Sequence, residues 1–158
     1  MKSVVYIETT IPSFYHSIRN EPDMIALRDW TRSWWHQDRE DYDTVTSDAV
    51  IEELQNGDHI LKQEKISLLA GIPLLEISSA VAEIVQVYIN HKLMPQDATG
   101  DALHLALASF HKCDYLLTWN CKHIANANKV NHIRRINQML QIHVPELVTP
   151  LELVQENP

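Results

Sequence analysis

Short apolar runs alternate along this chain with longer segments in which apolar residues recur at helical spacing. The short runs predict buried strands, because they are three to five residues long and mostly β-branched, aliphatic or aromatic. They lie at residues 4–7, 44–46, 73–77, 115–118 and 146–148. The longer segments predict helices over 21–35, 48–55, 58–70, 79–91, 101–111 and 129–141.

Strands that alternate with helices are typical of an α/β domain with a mainly parallel sheet. The short strands and numerous helices favour a three-layer α/β/α sandwich. A chain of 158 residues is long enough to bury one substantial core, and it contains no repeat or linker. The sequence therefore predicts a single domain over residues 1–158.

Composition limits where such a protein can work. Hydrophobic residues make up 45% and charged residues 22%, as in ordinary globular proteins. No apolar run approaches the roughly 20 residues needed to span a bilayer, and the apolar part of the N-terminus is too short for a secretory signal. Two cysteines, Cys113 and Cys121, do not form a disulfide framework. We therefore expect a cytoplasmic protein that has no membrane association.

The net charge is −8, which by itself argues against nonspecific nucleic-acid binding. The charge is unevenly distributed, however, because residues 115–145 contain no acidic residue. Four cations lie in that segment, and together we call them the basic strip: Lys122, Lys129, Arg134 and Arg135. The basic strip is either a solvated surface or a surface that faces phosphates beside an acidic site.

Four oxygen-bearing side chains lie near the predicted ends of strands. Glu8 follows the first strand, Glu53 lies beside Glu52 on the helix after the second, and Asp101 begins a later helix. Asn120 follows the fourth strand. Because ligands of parallel sheets bind beyond the carboxyl ends of the strands, these residues predict a common site. Carboxylates this close repel one another unless a cation neutralises them, and such oxygens suit Mg²⁺ or Mn²⁺.

Each residue also has a simple structural explanation. Asp101 could stabilise the N-terminus of its helix, and Asn120 could be a turn residue. His104 lies one turn after Asp101, so it is either a packed, hydrogen-bonded histidine or a residue that supports a metal ligand. In the helix over 21–35, Trp30 and Trp34 share the apolar face, which leaves Trp35 as the interface candidate.

The chain resembles PIN-domain ribonucleases, especially the VapC-like toxins of type II toxin–antitoxin pairs. The resemblance covers nearly the whole chain and rests on the order and spacing of several motifs. These motifs are YIETTIPSFY at 6–15, SDAVIEEL at 47–54, GDALHLALA at 100–108, DYLLTWNCKHI at 114–124 and PELVTPLEL at 145–153. The resemblance implies a PIN-like fold, Mg²⁺- or Mn²⁺-dependent RNA cleavage, an antitoxin partner and a homodimer. It also implies that Glu8, Glu53, Asp101 and Asn120 are the catalytic and metal-binding residues.

Two positions depart from the family pattern. The first acidic position is usually Asp, and here Glu8 is one methylene longer. The fourth is often Asp, and Asn120 offers an oxygen without a charge. Asp97, one turn before Asp101, is an alternative ligand. The departures leave open a second function, a weak or inactive PIN-like module that binds RNA or protein. Phosphotransfer or phosphatase chemistry is disfavoured, because it needs a nucleophilic Asp where Glu8 stands.

Overall fold

The sheet forms around two buried central strands. The computed structural model describes residues 1–57, 60–94, 99–120 and 127–154. Within these ranges the strands are β1 Val4–Ile7, β2 Asp43–Val45, β3 Tyr115–Leu117 and β4 Glu146–Val148. All neighbouring strands are parallel and their order is β2-β1-β3-β4, with Tyr6 opposite Leu116 in the central pair. The predicted parallel sheet is therefore confirmed.

Helices connect the strands and cover the sheet. The helices are α1 Thr10–Tyr15, α2 Pro22–Ser33, α3 Asp48–Asn56, α4 Lys62–Leu68, α5 Ser79–Asn90, α6 Thr99–Phe110 and α7 Ala127–Leu140. This alternation gives the predicted α/β/α architecture. Among the residues in the described ranges, no helix is both long enough and apolar enough to cross a bilayer.

Burial of β1, β3 and α6 positions the polar groups at the N-terminal end of α6. Val5, Tyr6 and Ile7 of β1 are fully buried, as are Leu116 and Leu117 of β3. Helix α6 buries nearly all of its length, and its alanines allow close packing against its neighbours: Ala102, Ala106 and Ala108 are each 0% exposed. This burial fixes the direction of α6, and so it also fixes the polar residues at its N-terminal end.

The strand predicted at 73–77 is much shorter in the structure. Only Leu74 pairs there, through a single bridge to Thr46. Pro73 has no N–H to donate, and Leu74 and Ile77 remain 49% and 42% exposed. Because these side chains bury so little surface, further strand pairing would stabilise the segment little, and the chain turns toward α5.

The helix predicted over 21–35 also differs from the structure. The α-helical part ends at Ser33, and a π-helical turn over Trp34–Asp38 follows, closed by the Arg39 N–H donating to the Trp34 carbonyl. A 3₁₀ turn over Arg39–Asp41 follows, before β2 begins at Asp43. The wider π turn lets two adjacent tryptophans face the core, so Trp35 is 5% exposed and is not an interface residue. Trp30 is instead the exposed tryptophan of this segment.

Candidate metal centre

Glu8 ends β1 and is held by donors from two other segments. Its Oε2 accepts hydrogen bonds from the Thr10 N–H at 3.0 Å, the Thr10 hydroxyl at 2.5 Å and the Thr118 hydroxyl at 2.8 Å. Only 3% of the residue is exposed. Burial raises the pKa of Glu8, although the charge of His104 and the threonine hydrogen bonds act in the opposite direction.

Glu53 reaches the same place from α3. Its Oε1 lies 2.8 Å from His104 Nε2, and its Oε2 accepts a hydrogen bond from the Thr9 hydroxyl at 2.6 Å. Burial would raise the pKa of Glu53, but the hydrogen bond and charge of His104 outweigh it, so the pKa is lowered. Glu52 and Glu53 are both exposed, and the hydrogen bonds to His104 and Thr9 distinguish Glu53.

Gly100 makes room for the Glu53 carboxylate at the start of α6. A Cβ at this position would lie 2.7 Å from Glu53 Oε1, closer than real contacts allow. The atom in the way is the end of a flexible side chain and not the backbone of α3, so a side chain at position 100 would displace the Glu53 carboxylate.

His104 links the Glu53 carboxylate to the core. It is fully buried on α6, with Nδ1 2.7 Å from the Tyr6 hydroxyl, which is in turn 2.7 Å from the Ser47 hydroxyl. Burial lowers the pKa of His104, but the bond to Glu53 and the charges of Glu8, Glu53 and Asp101 raise it overall. The expectation of a packed, hydrogen-bonded histidine is confirmed, and the bond to Glu53 also puts His104 beside the carboxylates.

These three side chains have the dimensions of a metal site. One ligand atom from each of Glu8, Glu53 and His104 lies within 4.8 Å of the other two. Two carboxylates and an imidazole suit a divalent ion such as Mn²⁺, and the carboxylates alone also suit Mg²⁺. The residues therefore fit a divalent cation, with His104 as a donor that sequence reasoning treated only as support.

Asp101 and Asn120 form a second pair next to this cluster. The Asn120 side-chain NH₂ donates to both oxygens of Asp101, at 3.1 and 3.2 Å. The Asn120 backbone N–H donates to the Thr118 hydroxyl, which itself donates to Glu8. Glu8, Asp101 and Asn120 thus belong to one hydrogen-bonded network. Glu53 is bonded separately to Thr9 and His104, and Asp101 and Asn120 lie outside the three-residue group.

The remaining predicted residues have different positions. Asp97 and Lys122 lie outside the described residues. Arg134 and Arg135 are exposed on α7, while Lys129 donates a hydrogen bond to the Leu93 carbonyl. Burial lowers the pKa of His132, and the charges of Arg135 and Lys129 lower it further, so these two cations flank it. Whether the basic strip contacts RNA stays a prediction.

Comparisons with known proteins bear on the fold. No family model matches the chain, and no curated protein matches it. One solved structure with a similar fold is the crystal structure of VapBC2 from Rickettsia felis bound to a DNA fragment from their promoter. The TM-score is 0.52 at 15% identity, covering 92% of this chain and 98% of the other. At that identity the similarity concerns the fold alone.

Proposed function

We propose that this protein is a metal-dependent endoribonuclease of the PIN-domain type. The observation that carries the proposal is the convergence of Glu8, Glu53 and His104 within 4.8 Å, with the Asp101 carboxylate beside them. The convergence lies at the carboxyl ends of β1 and β3 in a fold similar to that of a chain from a VapBC2 structure. The fold brings acidic side chains from separate segments to one place, and carboxylate oxygens are the ligands that a hard cation prefers.

The protein's own residues would prepare the site in three ways. Thr10 and Thr118 fix the Glu8 carboxylate by three hydrogen bonds to one oxygen. His104 orients Glu53, as residues behind a metal ligand commonly do, or itself binds the ion. Asn120 holds the plane of the Asp101 carboxylate. A bound Mg²⁺ or Mn²⁺ supplies a water of lowered pKa and stabilises charge on the phosphoryl group.

The biological setting is part of the same proposal. The family resemblance implies cleavage that leaves 5′-phosphate and 3′-hydroxyl ends, in the cytoplasm, by the toxin of a toxin–antitoxin pair. The solved structure with a similar fold contains both VapB and VapC, which supports an antitoxin as partner. A homodimer is likewise expected from the resemblance.

One observation favours a second candidate function, a module that binds RNA or protein without cleavage. His104 is bonded to Glu53, and Asn120 donates hydrogen bonds to Asp101, so protein groups alone stabilise two of the carboxylates. A degenerate site could be stable in this way without any metal.

The deciding experiment measures RNA cleavage with Mg²⁺, with Mn²⁺ and with a chelator. The variant is Glu53→Gln, and its matched control is Glu52→Gln on the adjacent, solvent-facing position of α3. We expect cleavage only with metal, a loss of orders of magnitude in Glu53→Gln, and wild-type activity in Glu52→Gln. Metal should also raise the melting temperature of the wild type, because it binds the folded state. Cleavage that persists in chelator, or equal activity in the two variants, would contradict the proposal.

A further inference from the structure

Three aromatic side chains form a contiguous surface that the metal centre does not use. The Trp30 and Trp119 rings stack with centroids 6.2 Å apart and an interplanar angle of 28°. Phe14 meets Trp119 edge-on at 6.4 Å. We call Phe14, Trp30 and Trp119 the aromatic ledge. They come from α1, α2 and the segment after β3, so the ledge depends on the fold and not on sequence proximity.

The aromatic ledge is joined directly to the metal centre. Trp119 lies between Thr118, which donates to Glu8, and Asn120, which donates to Asp101. The Trp119 backbone N–H donates to the Thr10 hydroxyl at 2.9 Å, and the same hydroxyl donates to Glu8. Two hydrogen bonds therefore connect the Glu8 carboxylate to the backbone of the central residue of the ledge.

The Trp119 ring is fixed in orientation. Its Nε1–H donates to the Thr31 hydroxyl at 2.8 Å, and that hydroxyl donates to the Leu27 carbonyl at 2.6 Å. A ring held by a hydrogen bond at its edge and by rings on its sides is a preorganised support. A ligand that stacks on such a surface loses little freedom of the protein when it binds.

Trp30 is the part of the aromatic ledge that solvent reaches. It is 41% exposed, whereas the neighbouring Trp34 and Trp35 are 1% and 5% exposed. An exposed indole that is contiguous with other aromatic rings beside a candidate site is typical of a ligand-binding surface. Because the chain carries a net charge of −8, electrostatic attraction to an RNA backbone is weak over most of the molecule, which leaves stacking as a source of affinity.

We propose that Trp30, supported by Trp119 and Phe14, stacks an unpaired base of the RNA strand, on a nucleotide that flanks the phosphodiester bound at the metal centre. This inference rests on the proposed function. The planar face of a tryptophan accepts any base, so the contact would anchor the strand without reading its sequence. A base held in a duplex could not reach Trp30 in the same way.

The test measures binding of a fluorescein-labelled single-stranded RNA by anisotropy in the presence of chelator, so that cleavage does not interfere. The variants are Trp30→Leu, which keeps an apolar side chain, and Trp30→Phe, which keeps a ring. The matched control is Phe110→Leu, since Phe110 is 40% exposed at the opposite end of α6 from Asp101. Base–aromatic stacking predicts about 5- to 150-fold weaker binding for Trp30→Leu. Binding should be largely restored in Trp30→Phe and unchanged in Phe110→Leu.

A series of RNAs with one abasic nucleotide at each position makes the test independent of folding in any variant. In the wild type, removing the base at one position should weaken RNA binding by the same factor as Trp30→Leu does. In Trp30→Leu, removing that base should not reduce the RNA affinity any further. Equal losses at all positions, or an unchanged affinity in Trp30→Leu, would overturn the inference and leave Trp30 as a packing residue or a protein contact. Cleavage is measured separately with Mn²⁺. Position-specific coupling without cleavage would refute the proposed catalysis and keep the stacking subsite.

Discussion

Gly100→Ala is the substitution that most directly tests whether Glu53 acts at the metal centre. An added Cβ would lie 2.7 Å from Glu53 Oε1, and ordinary contact begins at 3.4 Å, so the carboxylate would have to withdraw by about 0.7 Å. The displaced oxygen is the same one that lies 2.8 Å from His104 Nε2. The substitution thus moves a predicted ligand without changing its chemistry.

The effects on stability and on activity should differ. Alanine is favoured over glycine in a helix by up to about 1 kcal/mol. Weakening the Glu53–His104 hydrogen bond opposes that gain by about 1 kcal/mol, discounted because the Glu53 side chain is 39% exposed. The free energy of unfolding in chelator should therefore change by less than about 1 kcal/mol. A misplacement approaching 1 Å at a reacting centre can reduce activity about 100-fold.

The assay compares Gly100→Ala, Glu53→Gln and the double variant in RNA cleavage, metal titration and urea unfolding. If Glu53 is a ligand, Gly100→Ala should weaken metal binding and cleavage in the wild-type background. In the Glu53→Gln background, where the ligand is already impaired, it should have little further effect. Wild-type activity and metal affinity in Gly100→Ala would refute the argument that Glu53 binds the ion.

Four other predictions follow from the same site. Glu8→Gln should raise the melting temperature in chelator at neutral pH, because it removes a buried charge, and should abolish cleavage; a lower melting temperature would contradict this reasoning. Asn120→Asp should tighten Mn²⁺ in calorimetry and lower metal-free stability through repulsion from Asp101; no change in either would exclude Asn120 from the site. Alanine at all four positions of the basic strip should flatten the salt dependence of RNA binding by roughly 0.7 per lost phosphate contact, and an unchanged slope would make the strip a solvated surface. In chelator, the stabilisation from His104, whose folded pKa is raised above the usual 6.5, is complete below that pH and is lost as the pH rises through the folded pKa. Melting temperatures at increasing pH should therefore fall in the wild type and stay flatter in His104→Gln, and parallel curves would contradict this.

The sequence predicted the strands whose residues are buried on both faces. Val5, Tyr6 and Ile7, and likewise Leu116 and Leu117, are apolar at every position, as a central parallel strand requires. The run at 73–77 is also mostly apolar, but it contains Pro73 and Glu76, lies at the edge beyond β2 and pairs only with Thr46. Strand pairing at an edge depends on the neighbour, which local sequence does not contain. The π turn after Ser33 was missed for a related reason, because tertiary packing of Trp34 and Trp35 decides it.

In the candidate site too, some residues could be predicted from their local sequence position, whereas others depend on tertiary packing. The positions of Glu8 and Asn120 after strands, and of Asp101 at a helix start, were sufficient to predict that they lie close together. The choice between Glu52 and Glu53 could also have been made, since Glu53 lies one turn from the buried Ala49 and Val50 of α3. The roles of His104 and Gly100 could not be predicted from the sequence, because they depend on the distance between α3 and α6.

The position of Glu8 is the strongest argument that the site is maintained for a cation. Its carboxylate is buried, so keeping it ionised costs free energy, as its raised pKa indicates. A glutamine could accept hydrogen bonds from Thr10 and Thr118 with its amide oxygen and without that cost. The structural role alone therefore explains the oxygen but not the charge. A divalent ion bound by Glu8 and Glu53 would explain both, because it would offset the cost of the buried charge and would need the oxygen atoms that the threonines and His104 hold in position.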